Sequence, residues 1–328
     1  MSGPSRRMVV SGSTAFGALA LLDGKRRAMA QQWPTQNLRF ICPFPPGSSA
    51  DLIVRYFANK IGPLAGKTII VENRIGAAGN IATEYVARSK PDGYTILLHG
   101  GHTIASMMSL MKNPPVDVAK TIQMAATINR QAFMLVVSSN SPYQTLADLT
   151  KGLVEKGDRA SYGTATGDGT IIAEIYKAKM GLKVREINYR TATDSANDMS
   201  SGVLDFAVQN PLYSLGQMSG GKLRILGVAS RERLEALPNL PTMNEQGIPM
   251  NVIGWWSASV RAGTPKAIIE TINKWFVEVV STDETRKFLA TAGSDPFSLS
   301  PESAQELMLS EIDKWREYVR IAKIQPQG

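Results

Sequence analysis

Leu38-Arg39-Phe40-Ile41-Cys42-Pro43, followed by Phe44-Pro45-Pro46-Gly47-Ser48-Ser49-Ala50-Asp51, decides the fold class. Six mostly apolar residues of strand length meet a turn built from proline, glycine and serine. An amphipathic run over 51–64 then places Leu52, Ile53, Tyr56, Phe57 and Ile61 on one helical face. Strand, small-residue turn, helix is the first step of a β-α-β unit. Residues 68–72 supply the next strand, 80–89 a helix and 94–98 a third strand. That order predicts a mostly parallel sheet with helices on its faces.

The pattern restarts downstream. Residues 132–138, 159–163, 184–188, 206–209 and 223–229 read as strands, and 170–180 and 193–201 as helices. The tail is helical over 265–280, 283–292 and 301–321, with Thr264-Pro265 and Ser300-Pro301 as start signals. The expected architecture is α/β with two lobes. Lobe one is 31–137 plus 253–328 and lobe two is 138–252, with the chain crossing near 138 and 252. A double crossing makes a hinge between two bodies.

Residues 1–30 read as an export signal peptide: Arg6-Arg7, an apolar stretch over 8–22, then Ala28-Met29-Ala30 as a cleavage site. Fifteen residues of helix rise about 22 Å, too short for a hydrocarbon core of about 30 Å. Arg6-Arg7 suits either a twin-arginine or an ordinary secretory route. The leader holds five basic residues against Asp23, which leaves +4 of the chain's +8 for the mature protein. Without a basic stripe interleaved with aromatics, nucleic acid is not an expected partner. Cys42 is the single cysteine, excludes an internal disulfide and reads as a buried thiol.

Two strand-to-helix loops carry the candidate chemistry. One spans Phe44 to Asp51; the other is Thr164-Ala165-Thr166-Gly167-Asp168-Gly169-Thr170. A helix N-terminus has unpaired N–H groups and a partial positive charge, so it attracts a carboxylate or phosphate. Ser48, Ser49 and Thr170 read equally as helix caps. Asp168 would repel an anion unless it points away or meets an amino group. Arg190 reads as a carboxylate partner or a surface arginine, and Trp255-Trp256 as interlobe packing or a stacking platform. His99 and His102, in Leu98-His99-Gly100-Gly101-His102-Thr103, read as a loop at a strand end. A metal would need a third ligand. No nucleophile elbow, phosphate-binding loop or dinucleotide fingerprint is found, so no catalytic residue and no cofactor are expected.

The chain resembles the Bug-type periplasmic solute-binding proteins of tripartite tricarboxylate transporters. The resemblance rests on Pro43 to Asp51, Val71-Glu72-Asn73-Arg74-Ile75-Gly76-Ala77-Ala78-Gly79-Asn80 and Lys90-Pro91-Asp92-Gly93-Tyr94-Thr95. Further carriers are Tyr162 to Thr170, Gly202-Val203-Leu204-Asp205, Gly221-Lys222-Leu223-Arg224, Leu240-Pro241-Thr242 and Ala262-Gly263-Thr264-Pro265. They occur in family order across nearly the whole mature chain.

The resemblance implies a two-lobed type II binding protein (a Venus flytrap) that catalyses nothing and passes a small mono- or dicarboxylate to permease subunits. It implies a periplasmic location, and a monomer is expected. The implied ligand-binding residues are Phe44, Pro46, Gly47, Ser48, Ser49 and Asp51 from the first loop. Thr164, Ala165, Thr166, Gly167, Gly169 and Thr170 come from the second, joined by Arg190 and Asp205. Three positions depart from the family pattern: Ser48 where a second glycine is usual, a longer second loop without its usual histidine around Ile171-Ile172, and Thr191 in place of glycine. The alternatives are a receptor feeding a signalling ectodomain and an exported α/β hydrolase.

Overall fold

The computed structural model describes residues 33–189 and 193–326, with the side chains of Ser49 and Thr193 left out. The export signal expected over 1–30, Arg190 and Thr191 lie outside the described residues. From β1 (Leu38–Cys42) the chain passes through α1 (Ser49–Ala65), β2 (Ile69–Asn73), α2 (Asn80–Ala87), β3 (Thr95–Gly100), α3 (Gly101–Leu110), α4 (Val118–Thr121) and β4 (Ile122–Ala132). A second unit follows: β5 (Met134–Ser138), α5 (Leu146–Lys156), β6 (Ala160–Thr164), α6 (Gly167–Met180), β7 (Val184–Asn188), α7 (Ala196–Ser200), β8 (Phe206–Gln209), α8 (Pro211–Ser219) and β9 (Leu223–Val228). The chain returns through β10 (Ile253–Arg261), α9 (Lys266–Val280), α10 (Asp283–Thr291), β11 (Ser294–Pro296) and α11 (Pro301–Ala322).

Two sheets result, ordered β11-β4-β10-β3-β1-β2 and β7-β6-β8-β5-β9. The two-lobed α/β architecture stands, but both sheets are mixed rather than mostly parallel. β1 pairs in parallel with β2 and β3, whereas β10 runs antiparallel to β3 and β4. In the second sheet β6 pairs in parallel with β7 and β8, and β5 runs antiparallel to β8 and β9. Apart from β11, which runs antiparallel to β4, the antiparallel pairings involve the strands at the crossings, where the chain enters a sheet from the other lobe without a helical crossover. The first crossing is also earlier than expected. β4 ends at Ala132 and β5 already belongs to the second sheet, so the chain changes lobes at Phe133 rather than near 138.

Helix α1 buries Ile53, Val54, Phe57 and Ile61 against Phe40 of β1 and Phe276 of α9. Phe57 and Phe276 stack at 5.6 Å. Leu52, read as part of that face, is 56% exposed, because it lies at the stripe's edge in the first turn. Helix α11 packs on α3 and β4 in the first lobe and on α6 in the second. Its Met308 and Trp315 share one apolar cluster with Ile104 of α3 and with Ile171 and Tyr176 of α6. Each fully buried side chain of that size contributes about 1.5–3 kcal/mol, so the lobes are coupled through α11 as well as by the crossing strands.

Candidate functional site

The first loop is ordered by a buried carboxylate. Asp51, 1% exposed, accepts from Gly47 N–H at 2.8 Å, Arg55 Nε at 2.8 Å and Asn73 Nδ2 at 2.8 Å. Asn73 Nδ2 also donates to the Phe44 carbonyl at 2.8 Å, and Arg55 Nη2 to Asn73 Oδ1 at 3.1 Å. Burial pushes the Asp51 carboxyl up, but the hydrogen bonds from Arg55, Asn73 and Gly47 outweigh it and hold the group at about 2. Asp51 is therefore an organiser of the loop. Both its oxygens face donors of its own chain, so its expected contact with a ligand gives way to an internal one.

Gly47 has φ +77, where a side chain would be strained. Ser48, in the place of a usual glycine, has φ −68 and ψ 159, which any L residue adopts. It caps α1, its Oγ accepting the Asp51 N–H at 3.2 Å. That bond uses a lone pair and leaves the hydroxyl proton to donate elsewhere. The Ser49 and Ala50 amides, ahead of the first helical hydrogen bond, have no acceptor within the helix. Phe44 stacks on Trp256 at 5.6 Å and meets His99 edge-on at 5.5 Å, which fixes the loop's base. Pro45, Pro46 and Gly47 are exposed.

The second loop repeats this design at α6. Thr166 is the cap, accepting from Gly169 N–H at 3.2 Å. The amides of Gly167 and Asp168 are the unpaired ones of this first turn. Thr166 and Gly167 are exposed and Ala165 half-buried. A Cβ on Gly169 would lie 3.0 Å from the Val208 carbonyl oxygen, so a side chain there would press on β8, and glycine suits the close start of α6.

Two hydroxyls expected to face a ligand face Glu186 instead. Thr170 donates to Glu186 Oε1 at 2.7 Å, and Thr164 Oγ1 lies 3.0 Å from the same oxygen. Asp168 points away from the loop's open side, 8% exposed, with Oδ1 3.5 Å from His102 Nε2. Asp205 lies at the start of β8, at the opposite end of the sheet from Thr164. It pairs with Lys156 and accepts from Ser161 N–H at 3.0 Å. It cannot join the loops in one site, and its place in the candidate set is withdrawn. Its physical role is to tie α5 to the sheet.

The two histidines are not in a loop. His99 is the next-to-last residue of β3 and His102 sits in the first turn of α3, and both are buried. Burial pushes His99 down to about 3, so it is neutral. Trp255 is buried in the apolar cluster that takes residues from both lobes, whereas Trp256 is buried in the first lobe's own core, under Phe44. Burial pushes the Cys42 thiol up to about 11, as suits a structural cysteine. Among the described residues no cluster of three or more histidine, cysteine or acidic side chains could hold a metal ion, and no helix is long and apolar enough to cross a membrane.

Asn73 and Glu186 are the functional residues that the sequence pattern did not isolate. Asn73 stood inside a quoted motif, and its organising role depends on β1 and β2 lying side by side, with Cys42 opposite Asn73.

A family model described as the tripartite tricarboxylate transporter family receptor matches residues 53–324. Protein BugT of Bordetella pertussis is 28% identical over 295 residues, spanning 89% of this chain and 90% of its own. The solved structure of R. palustris Rpa4515 with adipate superposes with TM-score 0.81 at 25% identity, covering 90% of this chain and 99% of that one. The periplasmic binding protein BugD superposes with TM-score 0.78 at 24% identity over 90% of this chain and all of its own, a likeness of fold. The family model thus describes a transporter receptor and the BugD structure a periplasmic binding protein; neither describes an enzyme.

Proposed function

We propose, since the chain belongs to the tripartite tricarboxylate transporter receptor family, that it is a periplasmic receptor for a small organic carboxylate. The ligand sits between the lobes and is handed to the permease subunits of such a transporter. The observation that carries this reading is the paired construction of the two loops. Each contains glycine, each is capped by a hydroxyl, and each leaves two amides at a helix N-terminus, the two helices belonging to different lobes. A carboxylate has two oxygens and suits a donor pair of this kind.

Within the proposed site Ser48 supplies a hydroxyl proton, and Ser49, Ala50, Gly167 and Asp168 supply backbone amides. Phe44 and Pro46 form an apolar wall, while Gly47, Ala165, Thr166 and Gly169 shape the approach. Asp51, Thr164 and Thr170 hold the loops rather than the ligand. The similarity to a structure that contains adipate favours an aliphatic dicarboxylate as first probe.

The test is a thermal-shift series on the mature protein with adipate, shorter and longer dicarboxylates, and aromatic monocarboxylates. A ligand at a hundredfold excess over its Kd stabilises by about 2.7 kcal/mol, a rise of several degrees. If no carboxylate raises the midpoint while another solute class does, the reading is wrong.

A further inference from the structure

His102 stands where three parts of the molecule meet. It belongs to α3 of the first lobe. Its Nε2 lies 3.2 Å from Thr103 Oγ1 of the same helix and 3.5 Å from Asp168 Oδ1, in the first turn of α6 in the second lobe. Its Nδ1 faces the strand that returns from the second lobe, with Trp255 N–H donating to it at 3.0 Å and the Trp255 carbonyl oxygen 3.1 Å away. Either protonation state of Nδ1 thus finds a backbone partner. The ring fits because Gly254 has no side chain; a Cβ there would lie 3.0 Å from its Cε1. His102 and Asp168 also line a cavity of about 40 Å³ with Asn251, Val252 and Ile253 of the second crossing and Trp315 of α11. That space admits a water beside the ring.

We propose that His102 is a positioning residue: it ties the glycine-rich second loop to the first lobe, and protonation strengthens the tie. The proposal rests on the carboxylate-receptor reading for its purpose, since the tied turn carries the Gly167 and Asp168 amides.

The charges around the ring allow this. From α11, Glu311 and Lys314 line the same cavity and pair with each other at 2.7 Å, and the Glu311 carboxylate also favours the charged ring, less than Asp168 does. Tyr318, on the same helix, is pushed up to about 12 by burial and stays neutral. From β3, His99 is neutral for the reason given above. Asp168 is the stronger of the two carboxylates that act on the ring. Burial pushes the His102 imidazolium down, and the Asp168 carboxylate outweighs it, leaving the group above its ordinary 6.5.

The folded state holds the proton more tightly than the unfolded one. The stabilisation is complete below about pH 6.5 and fades as pH rises through the folded-state value. Because the chain has two histidines, proton NMR resolves both. The wild type should show one imidazole titrating above 6.5 and a second that does not titrate between pH 5 and 9, and Asp168→Asn should lower the first midpoint by at least one pH unit. In parallel, the thermal midpoint of wild type should exceed that of Asp168→Asn by about 2 °C or more at pH 6, with the gap closing by pH 8.5. His102→Gln should behave as Asp168→Asn does.

A purely structural neutral hydrogen bond gives gaps that do not change with pH. That result, or a His102 midpoint unmoved in Asp168→Asn, overturns the proposal. If His102→Gln does not fold, the wild-type titration and Asp168→Asn still decide. Neither readout needs a bound carboxylate, so a failed ligand screen leaves the test standing.

Discussion

One side-chain nitrogen of Asn73 donates to both Asp51 Oδ1 and the Phe44 carbonyl, each at 2.8 Å, and so joins the two ends of the first loop. The loop's shape follows from a residue on the neighbouring strand. Asn73→Ala removes both bonds and strips one donor from a buried carboxylate, which costs about 1–3 kcal/mol. The expected result is a lower thermal midpoint together with at least a tenfold loss of affinity for whichever carboxylate the screen identifies. Loss of stability with unchanged affinity would separate the loop from ligand capture.

Asp51 sets an acid limit. Its carboxyl is held at about 2, below the ordinary 3.8. A depressed value means the stabilisation is present above the unfolded-state pKa and fades as pH falls through the folded one. Asp51→Asn should therefore be less stable than wild type at pH 6 in urea titrations, with the difference shrinking between pH 4 and pH 2. A difference constant across that range would mean that the Asp51 charge contributes nothing.

The strand-turn-helix order was legible because periodicity and turn residues are local. Ile53, Phe57 and Ile61 marked the buried face of α1 and Ser48-Ser49 its start, whereas α6 begins at Gly167 under a Thr166 cap, one turn before the Thr170 start read from the sequence. What escaped depends on residues far apart in sequence. The strands β4 and β10 are buried on both faces, and Gly100-Gly101 hid the start of α3, which begins with no side-chain cap. Lobe membership of β5 is decided by pairing with β8 and β9, which no local pattern encodes. In the candidate site the loops were readable, but the partners that spend their side chains were not. Glu186 is sixteen residues beyond Thr170, and Asp205 looked like a ligand contact only through a family motif.

Ser48→Ala removes the α1 cap and should lower stability by about 1 kcal/mol. In the proposed site it also removes a hydroxyl donor, so affinity should fall by a further factor of several. Thr170→Val is the contrast. Its hydroxyl is committed to Glu186, and the substitution should lower stability by about 1 kcal/mol while leaving affinity within twofold. Calorimetric titration of both variants checks the pair, and a larger affinity loss for Thr170→Val would return that hydroxyl to the ligand.

Gly169 and Gly216 make a matched test of whether the start of α6 is under steric control. A methyl group on Gly169 would meet the Val208 carbonyl oxygen at 3.0 Å, and that backbone is fixed inside β8. Gly216 lies in α8 with nothing within 4 Å of its added Cβ. Gly169→Ala should thus destabilise by about 1–3 kcal/mol, the cost of overpacking. Gly216→Ala should stabilise by about 0.5–1 kcal/mol, because alanine loses less backbone freedom on entering a helix. Thermal denaturation of the two variants should move the midpoint in opposite directions. If Gly169→Ala is neutral, α6 can retreat from β8 without cost. The position of the Gly167 and Asp168 amides would then not be fixed by this contact, and another anchor, the one from His102 to Asp168, would have to hold them in place.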